Sequence, residues 1–513
     1  MKKATSENSI LIIGGGLAGL TAALHLAESG LKPIVLESDP NFLGGRVGGG
    51  EEIELDGWHF RGEHGVHGIW SPYRNLQAML ARHNIRPMFV PALEETWIYR
   101  KRDKVRKAAV GTAIRYSPLP APLHYLNLFV RPRFLAMLDI RDWVTLPLVW
   151  LGLLWGVGVD PLAENQPLGD MSLDDLVKYW APTVRAFMIG LSRNGLSATP
   201  DKIPLSGFLG FLRFYTLLRR DSWVFSYMPA DGGTSLIDPL AEKVQEFGGV
   251  INRGCKVMSI EKASDHWKVS GRNQSGEDIS YSCENVIIAT DSPNAKKIIE
   301  NSPDLAGADD FHWPRGVETA VIRIWFDKTP KPVSEGGIFT GDFIIDNFFW
   351  LHVIQEQYRQ WHKETGGSAI EVHVYGPPEV LNSPDALLLT NAIVDVQNAF
   401  PELRGHVIHQ VLQRNPKNHT VFSVGLPEKH LGIKTPWKGV YCCGDWVRHP
   451  APAYFLERAS VTGIFAANEI LGAVGIDSWP VLDYPKPEKF VGFIERLMRT
   501  GRARRRRRKN DSH

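Results

Sequence analysis

Three glycines and one acid near the start of the chain have the spacing of a phosphate-binding site. Gly14, Gly16 and Gly19 form a G-x-G-x-x-G pattern directly after the apolar run 10–13, and Glu37 ends a second apolar run. Glycine at these positions permits a sharp turn, close approach of the backbone to a pyrophosphate, and tight packing of the following helix. The helix N-terminus favours an anion, and Glu37 can accept hydrogen bonds from a ribose. The pattern predicts a dinucleotide site; the alternative is a glycine-rich turn in another α/β fold.

A second glycine pair follows the acid and extends this pattern. Gly44 and Gly45 precede Arg46, which could reach a phosphate, although an ordinary turn with a solvated arginine would have the same residues. Together with the first loop and Glu37, the LGGR run resembles the FAD-binding start of the flavin amine oxidase and carotene desaturase superfamily. The resemblance favours FAD over NAD as the cofactor and implies a flavoprotein.

The other strong motif lies more than 400 residues further along the chain. A strand-like run at 440–443 leads into Gly444 and Asp445, then a proline-rich turn, then a helix from about Tyr454. Gly444 permits close approach of a flavin, and Asp445 can accept hydrogen bonds from ribityl hydroxyls. The helix N-terminus around Leu456 can stabilise negative charge on a reduced flavin. The superfamily usually has Met where Leu456 stands, a change of little effect if the backbone makes the contact.

The motifs and the resemblance together assign thirteen residues to FAD binding. Val257 is among them because the superfamily has a valine at the matching position, which contacts adenine through its backbone. No residue stands out as a general base, so the sequence predicts no catalytic residue. The predicted cofactor-binding residues are Gly14, Gly15, Gly16, Ala18, Gly19, Glu37, Gly44, Gly45, Arg46, Val257, Gly444, Asp445 and Leu456.

The order of elements predicts an α/β protein with a split, Rossmann-like FAD-binding domain of the GR2 type and an inserted α+β substrate domain. A buried strand at 285–290 would return the chain to the FAD domain, whereas the run at 319–326 suits a strand of the substrate domain. The predicted FAD-binding parts are 8–60, 229–300 and 426–475. The remaining boundaries are 61–228 for a cap region, 301–425 for the substrate domain and 476–513 for an amphipathic, basic tail.

Two inner segments resemble one branch of the superfamily more closely. EHGVHG at 63–68 and TGGS-x-x-E-x-H-x-Y at 365–375 are similar to bacterial carotene desaturases of the aromatic-ring-forming, isorenieratene-synthase-like type. That likeness places His64 and His67 near the flavin, where they could shape the site or only form structural hydrogen bonds. No metal site is expected, because further ligands are missing. Phe348, Phe349 and Trp350 could line an apolar channel or belong to the core.

Composition and charge bound the class of protein. The chain has 513 residues, 43% of them hydrophobic, and a net charge of +2. Nine basic residues and one acid from Arg496 onward account for +8, so residues 1–495 carry −6 and a nucleic-acid-binding surface is not expected. Four cysteines without a C-x-x-C pair argue against a disulfide framework and a zinc site. No signal peptide is visible, so the catalytic body is expected in a reducing cytosol.

An uncharged run and a basic tail suggest contact with a membrane. Residues 143–159 carry no charge and reach the lower limit of a membrane span, but Pro147 and three glycines weaken them as a straight helix. The open interpretations are an element that dips into the membrane or lines an apolar tunnel, a core helix, and a true span. An apolar-basic helix from Phe490 leads into RARRRRRK, which favours peripheral contact with an anionic membrane. The alternatives are a nucleic-acid-binding patch and a disordered, solvated tail.

The predicted function follows from the resemblance. It implies an FAD-dependent oxidoreductase that desaturates a carotenoid or its end ring by hydride transfer to flavin N5, with a quinone or oxygen as possible electron acceptor. The alternatives are a flavin amine oxidase acting on a small amine and an FAD-dependent carotenoid isomerase. The apolar run at 143–159 argues against the amine oxidase. The predicted location is cytoplasmic and peripherally membrane-associated.

Overall fold

The computed structural model describes residues 9–305, 307–331 and 334–510. Its strands are β1 (Ile10–Ile13), β2 (Pro33–Leu36), β3 (Gly49–Leu55), β4 (Trp58–Glu63), β5 (Gly68–Trp70), β6 (Val90–Pro91), β7 (Glu95–Lys101), β8 (Lys104–Ala109), β9 (Phe225–Tyr227), β10 (Val250–Asn252), β11 (Lys256–Ala263), β12 (His266–Arg272), β13 (Asp278–Cys283), β14 (Asn285–Ile288), β15 (Arg315–Phe326), β16 (Gly336–Gly341), β17 (Asn347–Trp350), β18 (Ser368–Val374), β19 (Val407–Val421) and β20 (Val440–Cys442). Its α-helices are α1 (Leu17–Glu28), α2 (Arg74–Arg82), α3 (Gly111–Arg115), α4 (Pro132–Leu135), α5 (Ile140–Gly158), α6 (Leu173–Val177), α7 (Pro182–Leu196), α8 (Leu205–Leu212), α9 (Asp238–Glu246), α10 (Ser292–Glu300), α11 (Leu351–Ile354), α12 (Glu356–Thr365), α13 (Pro378–Leu381), α14 (Asp385–Ala399), α15 (Phe455–Ala473) and α16 (Lys489–Asn510).

A parallel five-stranded sheet in the order β10-β2-β1-β14-β20 carries the glycine loop. Strand β1 is an unbroken run of buried Ile and Leu, as expected for a central parallel strand covered on both faces. The apolar run at 10–13 forms β1, and the apolar run that Glu37 ends forms β2. Strands β14 and β20 are slightly shorter than the predicted strands at 285–290 and 440–443. Because the strands are parallel, the residues after β1, β2 and β20 meet at one edge of the sheet.

Helices α1 and α15, from opposite ends of the chain, pack against each other beside this sheet. A Cβ atom at Gly463 would lie 2.5 Å from the carbonyl oxygen of Ala18, so the glycine permits the close crossing. Each of these helices follows the carboxyl end of a parallel strand, α1 after β1 and α15 after β20. The N-termini of both helices therefore lie at the edge of the sheet that carries the glycine loop.

The larger, seven-stranded mixed sheet has the order β19-β15-β18-β17-β16-β7-β8. The predicted strand at 319–326 is confirmed as part of β15, which pairs with β18 and β19. Helix α14 packs on this sheet, and β11, β12 and β13 form a separate antiparallel meander. The mixed helix and sheet content confirms the predicted fold class, while the six domain boundaries stay predictions.

Helix α5 continues through Pro147, so the proline does not end it, and the expectation that this run is weakened as a straight helix stays a prediction. Its start is anchored on both sides: Asp139 accepts hydrogen bonds from the N–H groups of Arg141 and Asp142, and Asp142 accepts one from the N–H of Val184. Within the described residues, α5 is the helix long and apolar enough to cross a membrane, judged by length and composition alone. Only 28% of the 18-residue stretch tested in this helix is buried, which does not fit the interpretation as a core helix.

Candidate functional site

The glycine loop is held tightly against the sheet and leaves the start of α1 open. Gly14 has a φ of +111°, and its N–H donates to the Leu36 carbonyl at 2.8 Å. A Cβ at Gly19 would lie 2.0 Å from the Gly14 carbonyl oxygen, so only glycine fits there. At Gly16 the nearest atom would be 3.9 Å away, and no side chain caps the helix. The first turn of α1 therefore presents free N–H groups to a ligand.

Glu37 lies beside this loop at the end of β2. Its Oε2 accepts a hydrogen bond from the Gly15 N–H at 2.8 Å, and its Oε1 accepts from the Asp39 N–H at 2.8 Å and from the Ser38 hydroxyl. The carboxylate is thus fixed next to the glycine loop, where the sequence predicted an acceptor for a ribose.

The two motifs at opposite ends of the chain meet through an ion pair. Arg46 Nη2 lies 2.6 Å from Asp445 Oδ2, and Thr420 donates a hydrogen bond to the other carboxylate oxygen at 3.1 Å. Gly44, with φ of +97°, donates its N–H to the Gly15 carbonyl and so holds the second glycine pair against the first loop. Asp445 thus has a different partner on each carboxylate oxygen, which fixes it in one orientation.

Backbone geometry also shapes the C-terminal motif. Gly444 has a φ of +136°, and its N–H donates to the Thr462 hydroxyl in α15 at 3.0 Å. Helix α15 begins at Phe455, one residue later than predicted, and Phe455 has a φ of +55°, which is rare for a large side chain. Such strained residues persist where the surroundings hold them, commonly at binding sites.

One cavity of about 1130 Å³ collects these residues. Eleven of the thirteen predicted cofactor-binding residues line it, including Ala18, Gly45, Val257 and Leu456. The exceptions are Gly15, whose N–H and carbonyl groups bond to Glu37 and Gly44, and Gly19, which packs on the Gly14 carbonyl. The structure therefore brings the predicted residues together, while their contacts with FAD stay a prediction.

The middle of the cavity carries a cluster of histidines. His64 and His419 face each other with ring centroids 6.3 Å apart, and His67 and His373 also line the wall. Burial lowers the pKa of His64 to about 3, with Arg46 adding to the effect, so this ring is neutral. Within the described residues no group of three or more His, Cys, Asp or Glu side chains could hold a metal ion.

The far end of the cavity is aromatic. Phe349 lines the cavity, whereas its neighbours Phe348 and Trp350 lie in the core of the seven-stranded sheet, so the two interpretations each hold for part of this run. Trp70 is half-buried and stacks on Phe225 with ring centroids 4.6 Å apart. The aromatic side chains that line the cavity are Phe42, Trp70, Tyr73, Phe187, Phe211, Trp223, Phe225, Tyr227, Phe349, Tyr375 and Phe455.

Sequence reasoning missed an acid in this aromatic region. Glu95 lines the cavity, accepts a hydrogen bond from Trp223 Nε1 at 3.1 Å and pairs with Arg115 at 2.9 Å. Burial raises the pKa of Glu95 to about 7 in spite of Arg115. Its partners are far apart in sequence, and no motif surrounds it, so no signal in the sequence could have marked it.

The fold and the cavity define the class of the protein: a Rossmann-type dinucleotide-binding protein with a second, ligand-enclosing sheet. Residues 12–83 match the family described as NAD(P)-binding Rossmann-like domain, and residues 164–471 match the family described as Flavin containing amine oxidoreductase. The second match covers more than half of the chain, and the protein belongs to the flavin containing amine oxidoreductase family. It is an FAD-dependent oxidoreductase, which confirms the predicted cofactor and enzyme class.

Relatives of known name agree with the more specific resemblance. The chain is 24% identical to a carotenoid phi-ring synthase of Streptomyces griseus, with 93% of this chain and 90% of the relative covered. It is 21% identical to the carotenoid phi-ring synthase of Chlorobaculum tepidum (91% and 89% covered) and 23% identical to the 15-cis-phytoene desaturase of Capsicum annuum (91% and 78% covered). The predicted kinship with carotene desaturases, including the aromatic-ring-forming branch, is thus confirmed.

Solved structures with the same fold come from other branches. A double variant of putrescine oxidase has a TM-score of 0.65 at 12% identity, covering 91% of this chain and 99% of its own. Cyclohexylamine oxidase from Brevibacterium oxydans has a TM-score of 0.65 at 14% identity, covering 92% and 100%. At these identities the likeness concerns the fold alone.

Proposed function

We propose that the protein desaturates a carotenoid or a carotenoid end ring, with FAD as the immediate oxidant. The observation that carries the proposal is the single cavity, which runs from the glycine loop past Asp445 to an aromatic wall. One end suits a dinucleotide, and the other suits a long apolar molecule. The names of the relatives from Streptomyces griseus, Chlorobaculum tepidum and Capsicum annuum support a carotenoid as that molecule.

The residues around the cavity fit FAD. The open N-terminus of α1 at Gly16 would hold the pyrophosphate, and Glu37 would accept hydrogen bonds from the adenosine ribose. Asp445 would bind the ribityl chain, and the start of α15 near Leu456 would face the flavin. Bound there, FAD supplies a two-electron acceptor for hydride at N5.

The side chains of the protein contribute alignment of the substrate and exclusion of water from the cavity. The aromatic wall excludes water and aligns a polyene or ring against the flavin end of the cavity, which converts the reaction into an oriented, first-order step. The N–H groups at the start of α15 stabilise the negative charge that accompanies reduction. The wide cavity also leaves room for a substrate beside the cofactor.

Expression in a host that makes carotenes tests the proposal. We expect new pigments with fewer hydrogens per molecule, detected by chromatography and mass spectrometry, and none in the same host with an empty vector. Purified protein mixed anaerobically with carotenes should lose its oxidised flavin spectrum. Bleaching by small amines but not by carotenes would favour the amine oxidase instead. A rearranged pigment of unchanged mass would favour the isomerase.

The electron acceptor is proposed to be a quinone or oxygen. Substrate-reduced protein would be mixed anaerobically with a water-soluble quinone, and separately with oxygenated buffer. Recovery of the oxidised flavin spectrum within the turnover time identifies the acceptor. Failure of both to reoxidise the flavin would contradict this part of the proposal.

We also propose that the protein works in the cytoplasm at the surface of an anionic membrane, docked through α5 and α16. Helix α5 exposes Ile140, Val144 and Leu151 along one face, and α16 exposes Phe493 and Leu497. Such apolar stripes at helical spacing are typical of interfacial helices. The two helices pack against each other. The basic run after Thr500, whose side chains lie outside those described, adds charge for anionic lipid by sequence alone.

Flotation with lipid vesicles tests this surface. We expect binding to vesicles with anionic lipid and weaker binding at high salt. Replacing both Val144 and Leu497 with Gln should weaken binding at least about tenfold, since each loses about 1 kcal/mol or more of apolar burial. The control is Leu387→Gln on α14, where the leucine is 49% exposed, and it should bind as the wild type does. Equal binding by the double variant and the wild type would contradict the proposal.

A further inference from the structure

Three ionisable side chains alternate at the end of strand β18 and on the residue that follows it. They are Glu371, His373 and Tyr375, residues of the T-G-G-S-x-x-E-x-H-x-Y run that the sequence analysis left without a role. Alternate residues of a strand point to the same side of the sheet. Here that side faces the cavity, which His373 and Tyr375 both line.

The three side chains form a continuous hydrogen-bonded row. The Tyr375 hydroxyl lies 2.6 Å from His373 Nδ1, and His373 Nε2 lies 2.7 Å from Glu371 Oε1. The other oxygen of Glu371 lies 2.7 Å from Arg323 Nη2. The amide of Asn347 donates to the Tyr375 oxygen at 3.1 Å. We call Arg323, Glu371, His373 and Tyr375 the relay.

The direction of the hydrogen bonds follows from the charge of Glu371. Burial raises the pKa of Glu371, but Arg323, His373 and the Val66 N–H outweigh it and bring the pKa to about 2, so the group is a carboxylate. A carboxylate only accepts, and His373 Nε2 must therefore carry a proton. In the tautomer that carries its proton on Nε2, Nδ1 accepts the hydrogen bond from the Tyr375 hydroxyl. The row is arranged to move a proton from Tyr375 toward Glu371, in the manner of a Ser-His-Asp triad.

The relay lies close to the predicted flavin end of the cavity. A Cβ at Gly65 would be 2.9 Å from His373 Cε1, so the imidazole packs directly on the segment between His64 and His67. His64 in turn is close enough to Arg46, the partner of Asp445, for that charge to lower its pKa. A substrate held between the aromatic wall and the flavin would pass the Tyr375 hydroxyl.

The other three histidines that line the cavity lack the bonding pattern of His373. Burial lowers the pKa of His64 to about 3 and the pKa of His419 well below its ordinary value. His67 Nδ1 lies 3.9 Å from the nearest oxygen of Glu63, too far for a hydrogen bond. Among the four, His373 is the one whose ring is bonded to both a carboxylate and a hydroxyl.

We propose that Tyr375 is the catalytic proton acceptor of the desaturation, with His373, Glu371 and Arg323 as positioning residues. One C–H bond of the substrate would break with its hydrogen leaving as hydride, nucleus and electron pair together, for which bound, oxidised FAD would be the acceptor. The C–H bond on the neighbouring carbon breaks and its proton passes to the Tyr375 oxygen, while the tyrosine proton moves to His373 Nδ1. A C=C bond forms between the two carbons. The imidazolium is stabilised by Glu371 and later releases its proton to water.

This inference rests on the proposed oxidation of a C–H substrate, and substitution of Tyr375 tests it. The variant Tyr375→Phe, loaded with FAD, is mixed anaerobically with saturating carotene in a stopped-flow instrument. We expect flavin reduction to slow by about 10²- to 10⁴-fold, with bound FAD and the carotene Kd little changed. The matched control is Tyr358→Phe: Tyr358 is also buried, has no hydrogen-bond partner for its hydroxyl and does not line the cavity. It should reduce at the wild-type rate.

A second measurement does not depend on turnover. Full-length protein with ¹⁵N-labelled histidine is examined by NMR, and the His373 signals are assigned by their loss in His373→Gln. We expect a protonated Nε2 and a hydrogen-bonded Nδ1 in the wild type, and a shift of the Nδ1 resonance toward that of a free lone pair in Tyr375→Phe. His406→Gln, which removes an exposed histidine paired with Asp327 at 2.8 Å, is the control and should leave the His373 signals unchanged.

The outcomes separate the two proposals. Wild-type reduction of Tyr375→Phe by carotene, or an unchanged Nδ1 resonance in that variant, overturns the relay and leaves the carotenoid function standing. A wild-type protein that no carotene reduces overturns the proposed function, and the NMR result then decides alone whether the hydrogen-bonded row exists.

Discussion

Replacing Gly19 with alanine should abolish tight FAD binding without adding any group to the cavity. A Cβ at this position would lie 2.0 Å from the Gly14 carbonyl oxygen and 3.2 Å from the Ala289 side chain. An ordinary contact begins at 3.4 Å, so α1 and the loop would have to separate by about 1.4 Å. The obstacle is backbone, which cannot rotate away as a side chain could.

The expected loss follows from what the loop does. Hydrogen bonds near 2.9 Å from the helix N-terminus to a pyrophosphate would be stretched beyond about 4 Å and cease to exist. A hydrogen bond to a charged group contributes about 1.5 to 3 kcal/mol. Losing two of them costs about 3 to 6 kcal/mol, which is roughly a 10²- to 10⁴-fold rise in the Kd for FAD.

The assay is the FAD content of the purified protein, followed by titration of the apoprotein with FAD. Circular dichroism checks that the variant is folded. The matched control is Gly472→Ala in α15: this glycine is exposed, has no atom within 4 Å of its Cβ position, and should keep FAD at full stoichiometry. If folded Gly19→Ala retained FAD with wild-type affinity, the assignment of the loop to the pyrophosphate would be wrong.

Three further predictions concern buried acids. The pKa of Glu95 is raised to about 7, so its contribution to stability is fully present below the ordinary value near 4.5 and is lost as the pH rises through 7. Relative to Glu95→Gln, the wild type should lose about 3 kcal/mol of unfolding free energy between pH 4.5 and 8 in urea unfolding. A difference between the two proteins that does not change with pH would refute this. Glu457 caps α2 by accepting hydrogen bonds from the N–H groups of Asn75 and Leu76, so Glu457→Gln should lower Tm by about 2 to 4 °C in calorimetry, and no change would contradict the cap. The variant Asp445→Asn removes the negative charge that pairs with Arg46 and should raise the Kd for FAD about tenfold in apoprotein titrations. Equal affinity of the variant and the wild type would exclude a contact between Asp445 and FAD.

Local motifs were readable from the sequence because local physics demands particular residues. A turn with φ near +111° selects glycine at Gly14. A Cβ atom at position 19 would lie only 2.0 Å from the Gly14 carbonyl oxygen, which selects glycine at Gly19. The acid at Glu37 ends a strand whose apolar run is itself a signal. These features predicted the parallel sheet, a dinucleotide site and the residues that line one end of the cavity, whereas the choice of FAD came from the resemblance to a flavoprotein superfamily.

Other features depended on contacts that no local pattern encodes. Arg46 meets Asp445 across 399 positions of sequence, and Glu371 meets Arg323 between neighbouring strands. Phe349 faces the cavity while Phe348 packs in the core, because the pleat of β17 turns alternate side chains to opposite faces. The register of the strand, which only the assembled sheet sets, decided which of the two could meet a substrate.

The sequence by itself determined that this chain folds around a dinucleotide and belongs among flavin-dependent oxidoreductases. Only the tertiary structure decided that Tyr375, His373 and Glu371 form a row at the cavity and that α5 leaves an apolar face exposed. The physical reason is the separation in sequence over which each feature is determined. Backbone conformation is fixed within a few residues, whereas proton transfer and burial depend on side chains that packing brings together from distant strands.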